Sequence, residues 1–372
     1  MNIVVYCPNL IGDTVMATPA LRSLRAGFPN AKIHALVKPV VAPVLDGLTT
    51  CDHRILFDPR SSKPELQASQ VLKQLRGIKP DLTILLPNSF RSALMGFRSG
   101  SRRRVGYARG GRGILLTDRI APPNRSRFKF EPIPVVDYYL GLTRHLGCPD
   151  MGRQLDQATL PANESATDSA LSELNIANAN PLIVFNTGGA FGPAKNWPSE
   201  SFASLSGKIL KDIPKARILV ICGPSEVENA NKIATLANDE RVLSLSNQPL
   251  SVGLSKAIIK RANLMVTTDS GPRHFATAFG IPTVSLFGPT HIAWTRTLHP
   301  QAIHLQKKVD CGPCQQGVCP EKHHRCMTEL TPDDVHAACL ELLGWERLVP
   351  DPKLNLGRAR PPISTRLVYE RG

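Results

Sequence analysis

One stretch of the chain, residues 264–289, has a pattern of strand, tight turn, short helix and second strand that limits the folds available to it. Residues 264–266 and 284–287 are predominantly apolar runs, which are typical of parallel strands buried on both faces. Pro272 occupies the position expected for the first residue of the helix, and Gly280 the position where the helix should end. Such a unit belongs to an open α/β sheet, in which ligands bind beyond the carboxyl ends of the strands.

The turn in this stretch has two interpretations. It is either a ligand site or an ordinary turn between strand and helix, capped by Ser270 or Gly271. Free backbone N–H groups and the helix dipole attract phosphate at such a position, so a phosphate-bearing ligand is the functional interpretation. The stretch by itself leaves both interpretations open.

Comparable units of strand, loop and helix recur on both sides of a weakly periodic segment, residues 147–165. A length of 372 residues is enough for two domains of common size. The pattern predicts an α/β protein with an N-terminal domain over residues 1–165 and a C-terminal domain over residues 166–345. The remaining residues, 346–372, form a tail rich in Pro and Arg that we expect to be poorly ordered.

The first unit of the chain runs from a strand over residues 3–7, through a helix expected over 14–28, to a strand over 32–37. It lacks the G-x-G-x-x-G fingerprint of dinucleotide binding. Asp13 lies at the junction of the loop and the helix. It is either the helix N-cap or a general base, and a carboxylate at that position is favoured in its ionised form.

Polar groups of the second half also follow predicted strands. Lys195 lies in a glycine-rich loop and can neutralise a phosphate or simply be solvated, although the loop is not a Walker A motif. Glu226 either binds ribose hydroxyls or occupies the first turn of a helix. Because these groups and Asp269 follow strands of one predicted sheet, we expect them at one edge of that sheet.

The net charge of +15 is concentrated in the first half, where residues 1–150 hold 22 Lys and Arg against 10 Asp and Glu. Residues 91–112 contain seven Arg and no acidic residue. This segment is either a solvated basic face or a site for an anionic substrate, since guanidinium groups bind phosphates bidentately. An aromatic content of 5% and the absence of a recognition motif argue against nucleic acid as the partner.

Nine cysteines, an odd number in a long chain, favour a reducing compartment over a disulfide framework. Four of them follow the spacing C-x2-C-x4-C-x6-C, which can hold zinc: Cys311, Cys314, Cys319 and Cys326. Since only one C-x2-C pair occurs, we favour reduced loop thiols over a structural metal. No apolar run approaches the roughly 20 residues of a membrane span, and we expect no signal peptide.

Four segments carry a family resemblance: residues 11–22, 186–198, 269–274 and 287–290. Together they resemble the bacterial ADP-heptose:lipopolysaccharide heptosyltransferases, which are inverting glycosyltransferases of GT-B fold. The cysteine segment ending at residues 323–327 is similar to the heptosyltransferase II branch. The resemblance covers about residues 1–345 and implies two Rossmann-like, parallel-sheet domains that face a cleft.

The resemblance also implies roles for the candidate residues, with Asp13 as the general base. The residues that match the ADP-heptose site are Lys195, Thr187, Gly188, Glu226, Asp269, Ser270, Gly271 and His274. Within that set, Lys195 and the turn at 187–188 match the diphosphate site, Glu226 the ribose site and Asp269 a position near the sugar. The acceptor, a phosphorylated lipid A–inner core, would meet Arg102, Arg103 and Arg104.

The implied reaction transfers heptose from ADP-L-glycero-D-manno-heptose to the inner core of lipopolysaccharide with inversion. Lys195 would oppose the negative charge on departing ADP, so the resemblance implies no metal and no other cofactor. We expect a cytoplasmic monomer of a Gram-negative bacterium that contacts the anionic inner face of the inner membrane. A GT-B transferase with another nucleotide sugar is the alternative, and a basic nucleic-acid-binding protein is a more remote one.

Overall fold

The computed structural model describes residues 1–123, 131–189 and 191–344, and the backbone of 366–368. The chain divides into two compact units. The first comprises Met1–Ala158 and Ala293–Thr297, and the second comprises Thr159–Ile292 and Leu298–Gly372. The expected boundary at residue 165 lies inside a helix of the second unit.

The first unit is built around one parallel sheet. Its strands are β1 (Asn2–Tyr6), β2 (Lys32–Val37), β3 (His53–Leu56), β4 (Leu82–Leu85), β5 (Arg103–Tyr107) and β6 (Asp118–Ile120). Its helices are α1 (Ile11–Met16), α2 (Thr18–Gly27), α3 (Ala68–Ile78), α4 (Phe90–Arg98) and α5 (Val135–His145). The strand order is β3-β2-β1-β4-β5-β6, so the order reverses between β1 and β4. This reversal is the topological switch point, where open α/β sheets bind ligands.

The second unit repeats this architecture. Its strands are β7 (Leu182–Asn186), β8 (Arg217–Ile221), β9 (Val242–Ser244), β10 (Leu264–Thr268), β11 (Thr283–Phe287), β12 (Ala302–Gln306) and β13 (Arg366–Val368). Its helices are α6 (Pro161–Glu173), α7 (Ser199–Asp212), α8 (Val227–Ala237), α9 (Val252–Lys260), α10 (Arg273–Phe279), α12 (Arg325–Thr328) and α13 (Pro332–Leu343), while a short helix α11 (Ile292–Thr295) begins at its boundary. The order β13-β12-β11-β10-β7-β8-β9 is parallel throughout, and its switch point lies between β7 and β10.

The predicted pair of Rossmann-like parallel sheets is confirmed. Every residue of β7, β10 and β11 is buried, which explains why these strands are predominantly apolar in the sequence. None of the helices in the described ranges is long and apolar enough to cross a membrane. Three residues of the expected tail form β13, paired with β12; the rest of residues 345–372 lie outside the described ranges.

The single helix expected over residues 14–28 is wrong, because the chain forms α1 and α2 with a break at Ala17. Pro19 has no N–H to donate to the carbonyl of Val15, and the hydroxyl of Thr18 donates to that carbonyl instead, at 2.7 Å. The break leaves α1 as a separate short helix that carries Asp13 in its first turn. Its N-cap is Leu10, so the interpretation of Asp13 as N-cap is also wrong.

The helix after β10 begins one residue later than predicted. Pro272 is its N-cap and Arg273 its first residue, so neither Ser270 nor Gly271 caps it. Gly280 ends the helix as expected, with a positive φ of 71°. The turn between β10 and α10 is therefore longer than the sequence predicts, and it leaves Asp269 outside the helix.

Candidate functional site

In the second unit, the loops that follow β7 and β10 meet at the switch point. The two strands are hydrogen-bonded neighbours, with Asn186 at the end of β7 paired to Thr267 of β10. Lys195 follows β7, and Asp269 follows β10 directly. The expectation that these groups lie at one edge of one sheet therefore agrees with the strand order.

Asp269 is the centre of this cluster. Its side chain is 4% exposed, and one carboxylate oxygen, Oδ2, accepts hydrogen bonds from Lys195 Nζ at 2.6 Å and from Thr290 Oγ1 at 2.7 Å. The other oxygen lies 3.5 Å from Arg273 Nη2, and Lys195 Nζ also donates to the Asp269 carbonyl at 2.9 Å. Two buried cations thus flank one buried carboxylate.

The charges of this cluster determine the protonation of Asp269. Burial opposes ionisation of its carboxyl group, but the charges of Arg273 and Lys195 outweigh burial and hold the pKa well below its usual value. The pKa of His274 is also lowered well below its usual value, first by burial and then by the charge of Arg273. His274 is therefore a neutral imidazole at neutral pH.

Lys195 is positioned by its loop as well as by Asp269. It ends the 3-10 turn Pro193–Lys195, and its ammonium lies 4.4 Å from the centre of the Phe191 ring. Gly192, with a φ of 141°, packs so closely on the carbonyl of Gly317 that a Cβ there would overlap it. The backbone N–H of Ala194 donates to the same carbonyl at 3.0 Å.

Ser270 and Thr187 are tied into buried networks. Asn186 Nδ2 donates to Ser270 Oγ at 2.7 Å, which connects the end of β7 to the turn after β10. Thr187 Oγ1 accepts from Asn229 Nδ2 at 2.9 Å. These two hydroxyls therefore hold the two loops in place, a positioning role that is distinct from the donor contact implied for them.

Glu226 lies against the loop after β7. Its Oε2 accepts the backbone N–H of Gly223 at 2.8 Å, and its other carboxylate oxygen is so close to Gly188 that a Cβ on Gly188 would overlap it. Gly188 is required here by this approach and not by its φ. Glu226 is half-buried.

In the first unit, Asp13 lines a cavity of about 310 Å³ at the switch point between β1 and β4. The lining comes from the loops after β1, β4 and β5, helix α5 and the segment 293–297; it includes Asn88, Arg109, Tyr138 and Trp294. Asp13 is half-buried. Its charge contributes, after burial, to the raised pKa of Tyr139. A carboxylate, a guanidinium and an indole around one cavity suit a polar, partly anionic ligand.

Arg112 is fully buried and contacts Pro87 and Asn88, two residues of the cavity lining. Its guanidinium donates to Tyr107 O at 2.9 Å, to Asn88 Oδ1 at 3.1 Å and to Pro87 O. Burial lowers its pKa to about 10, so it stays charged at neutral pH. It therefore fixes the loop after β4, which supplies Pro87 and Asn88 to the cavity lining.

The interpretation of residues 91–112 as a solvated basic face does not hold for all of its arginines. Arg103 pairs with Asp118 at 2.6 Å, and Arg104 donates to the carbonyls of Ser101 and Leu115 at 2.6 and 2.7 Å. Arg102, whose side chain is 85% exposed, has Asp81 at 3.8 Å. The segment folds as α4, β5 and a 3-10 turn, so its arginines point to different surroundings.

Sequence reasoning missed several residues of the two sites. They are Thr290, which donates to Asp269, the guanidinium of Arg273, the buried Arg112, and Trp294 in a segment that belongs to the first unit. Arg273 could have been found, since its position next to His274 places it on the same short helix. Trp294 could not have been predicted from the local sequence, because more than a hundred residues separate it from the rest of the first unit.

Comparisons with known proteins agree with this architecture. The model of glycosyltransferase family 9 (heptosyltransferase) matches residues 69–325. Lipopolysaccharide heptosyltransferase 2 of Escherichia coli strain K12 is 27% identical over 339 residues, which cover 90% of this chain and 96% of the relative.

Two solved structures share the fold. The structure of E. coli ADP-heptose lipopolysaccharide heptosyltransferase II superposes with a TM-score of 0.75 at 24% identity, covering 93% of this chain and all of that one. The structure of E. coli heptosyltransferase WaaC with ADP-2-deoxy-2-fluoro heptose superposes with a TM-score of 0.68 at 18% identity, covering 92% of this chain and 99% of that one. Because the family model spans more than half of the sequence, the chain belongs to glycosyltransferase family 9, the heptosyltransferases.

Proposed function

We propose that this glycosyltransferase moves heptose from ADP-L-glycero-D-manno-heptose to the inner core of lipopolysaccharide, as a heptosyltransferase II. The observation that carries the proposal is the cluster of Lys195, Arg273 and Asp269 at the switch point of the second unit. Two cations flank one carboxylate there, and a diphosphate is the ligand class that such a surplus of positive charge favours.

The donor binds to the second unit in this proposal. Lys195 and Arg273 oppose the negative charge that develops on ADP as the glycosidic bond breaks, where fixed charges stabilise the transition state most. Glu226 accepts the ribose hydroxyls, and Gly188 lets the donor approach the loop after β7. Transfer without a metal or other cofactor stays a prediction.

The acceptor binds to the cavity of the first unit. Asp13, ionised in the first turn of α1, takes the proton of the attacking sugar hydroxyl as that hydroxyl attacks the anomeric carbon. ADP leaves from the opposite face, so the configuration inverts. Arg109 and Trp294 line the same cavity and suit an anionic sugar, with a cation for its charge and an aromatic face for its ring.

The test is a donor screen with purified protein and a delipidated, phosphorylated core acceptor. ADP-heptose is offered beside UDP-, GDP- and other ADP-sugars, and the product is detected by mass. Transfer from ADP-heptose alone supports the proposal. Transfer only from another donor keeps the fold and the Asp13 chemistry but overturns the heptose assignment.

We further propose that the enzyme is a cytoplasmic monomer that docks on the anionic membrane surface through α4. Phe90 and Phe97, exposed by 48% and 52%, lie seven residues apart on one face of this helix, beside the exposed Arg91 and Arg98. An apolar stripe bordered by cations is typical of helices that lie at an anionic bilayer.

Vesicle sedimentation tests this docking surface. Wild-type protein should sediment with phosphatidylglycerol vesicles more than with phosphatidylcholine vesicles, and the double variant Phe90→Ser, Phe97→Ser should not. Val40→Ser, at another exposed apolar position of the first unit (61% exposed), is the matched control. Equal sedimentation of wild type and double variant would contradict the docking surface but leave the proposed reaction untouched.

A further inference from the structure

Three of the nine cysteines lie in the loop between β12 and α12, and a fourth, Cys326, lies in α12. All four are free thiols in the structure; Cys311 is exposed and the others are half-buried. Three non-glycine residues of this loop adopt left-handed φ angles near 60°: Gln315, Lys322 and His324. Each such residue carries a steric cost. The loop therefore holds a tightly bent path without the support of regular secondary structure.

The four thiols meet at one small cavity. Cys311, Cys314, Cys319 and Cys326 all line it, together with His323, and its volume of about 10 Å³ is the size of a single small occupant. The rest of the lining is apolar or glycine: Ala194, Pro289, Val309, Gly312 and Pro320. Thiols are poor partners for a water molecule but are preferred ligands of zinc.

His323 is held beside this cavity in one orientation. Its Nδ1 accepts the backbone N–H of Arg325 at 3.1 Å, so in the neutral imidazole the proton lies on Nε2. That nitrogen is 3.8 Å from Cys311 Sγ and donates to it. An imidazole N–H aimed at a thiolate is a common outer partner of a metal ligand, since it orients the sulfur and stabilises its negative charge.

We propose that Cys311, Cys314, Cys319 and Cys326 bind one zinc ion as four thiolates, with His323 as the residue that positions Cys311. Within the described residues, no three potential ligands already stand in metal-binding geometry. Binding therefore rotates the sulfurs inward to the roughly 2.3 Å of a Zn–S bond. It releases the four thiol protons to solvent.

The zinc loop, residues 311–326, contacts the two segments that carry Lys195 and Thr290, the residues that donate to Asp269. Gly317 O accepts the N–H of Ala194 in the turn that carries Lys195, and Gln315 N donates to Pro289 O at 2.8 Å, next to Thr290. Cys326 Sγ lies against Gly288. A zinc ion in the cavity would therefore hold the two segments that supply Lys195 and Thr290 to Asp269.

The test measures metal and thiols in the full chain, and it needs neither donor nor acceptor. The protein is reduced, exposed to zinc and freed of unbound metal. We expect about one zinc per chain in wild type and in Cys148→Ser, a matched control in the first unit. Cys314→Ser and Cys326→Ser should retain far less. His323→Gln should keep the stoichiometry but bind about 10–100-fold more weakly.

Cobalt provides a readout that does not depend on variants that fold poorly. Wild-type protein with Co²⁺ should show the sulfur-to-metal and visible bands of a tetrahedral thiolate site, and zinc should abolish them. Wild type that binds no more zinc than Cys314→Ser and gives no thiolate bands would overturn the proposal. The proposal would also be overturned if the four cysteines of zinc-free protein reacted with a thiol reagent only after reduction, because the loop would then hold disulfides.

Discussion

Both units place an aspartate beyond the carboxyl end of a central strand of a parallel sheet, yet the two carboxylates lie in opposite surroundings. Asp269 is 4% exposed and is held by Lys195, Thr290 and Arg273. Asp13 is half-buried in the first turn of α1 and lines a cavity of about 310 Å³. The carboxyl-end edge of the sheet thus carries a buried counter-ion in one unit and a carboxylate that lines an open cavity in the other.

The difference arises from the neighbouring loops and not from the strands. In the second unit, the loops after β7 and β11 bring Lys195 and Thr290 onto the carboxylate. In the first unit, the buried cation Arg112 donates to the carbonyl of Pro87 and the side-chain oxygen of Asn88 in the loop after β4. Lys195 pairs with Asp269 and holds its carboxylate in place. Arg112 instead holds the loop after β4, so it does not pair with Asp13 or fill the cavity of the first unit.

Asp13→Asn gives the sharpest test of this comparison. If Asp13 is the general base, the amide cannot take the proton, and kcat for heptose transfer should fall by about 10²–10⁴. ADP affinity, measured by calorimetry, should stay unchanged because the proposed donor site, around Lys195 and Asp269, is in the second unit. Near-normal turnover in this variant would remove Asp13 as the base.

Asp269→Asn should act mainly on stability. Removing this charge leaves Lys195 and Arg273 buried beside a neutral amide, which should cost about 3–5 kcal/mol of unfolding free energy at pH 7 in urea titrations. Asp333→Asn, whose carboxylate is 76% exposed, is the control and should change little. A loss no larger than that of the control would refute the role of Asp269 as the buried counter-ion.

The same variant should change the acid sensitivity. The folded pKa of Asp269 lies below the unfolded value of about 3.9, so its ionised form contributes stability that is fully present above that value. This contribution is lost as the pH falls toward the folded pKa. The stability difference between wild type and Asp269→Asn should therefore shrink below about pH 4.

Arg112→Met tests the support beneath the cavity of the first unit. It removes one hydrogen-bond donor from each of the oxygens of Tyr107, Pro87 and Asn88, at a cost of about 1–3 kcal/mol. The acceptor KM should rise while ADP affinity holds, since only the loop after β4 loosens. The exposed Arg119→Met is the control; an equal rise in acceptor KM there would show that net charge, not support of the loop, is responsible.

Gly188→Ala should affect the donor side alone. The added Cβ would displace the carboxylate of Glu226 from Gly223 N–H, so the donor KM should rise several-fold with little change in stability. Gly207→Ala, where nothing lies within 4 Å of the new Cβ, is the matched control. An unchanged donor KM in Gly188→Ala would separate Glu226 from donor binding.

The smallest effect is expected for the arginines of the basic segment. Neutralising Arg102, Arg103 and Arg104 together should raise the acceptor KM more than the donor KM. Arg102→Gln alone should also raise the acceptor KM, by a few-fold. It should not lower the free energy of unfolding, because the side chain of Arg102 is 85% exposed. Equal effects on both substrates would contradict an acceptor role for this segment.

Several parts of the fold and the sites could be predicted from local sequence. Apolar runs predicted the buried parallel strands, and the segments between each strand and the following helix located Asp13 and Asp269. Arg103 could not be assigned in this way, because its partner Asp118 lies on a different strand, β6. The break at Ala17 was missed because the apolar spacing continues across it, although Pro19 removes the hydrogen bond that a continuous helix needs.

The amino-acid sequence by itself determined the two parallel sheets, the polar residues at their strand ends and the spacing of four cysteines. These follow from hydrophobic periodicity and chain order, which act over a few residues. Only the tertiary structure decided which cation meets which anion and that the four thiols share one cavity with His323. The physical reason is that an ion pair or a shared cavity depends on distances between loops, and those are set by how strands order within a sheet.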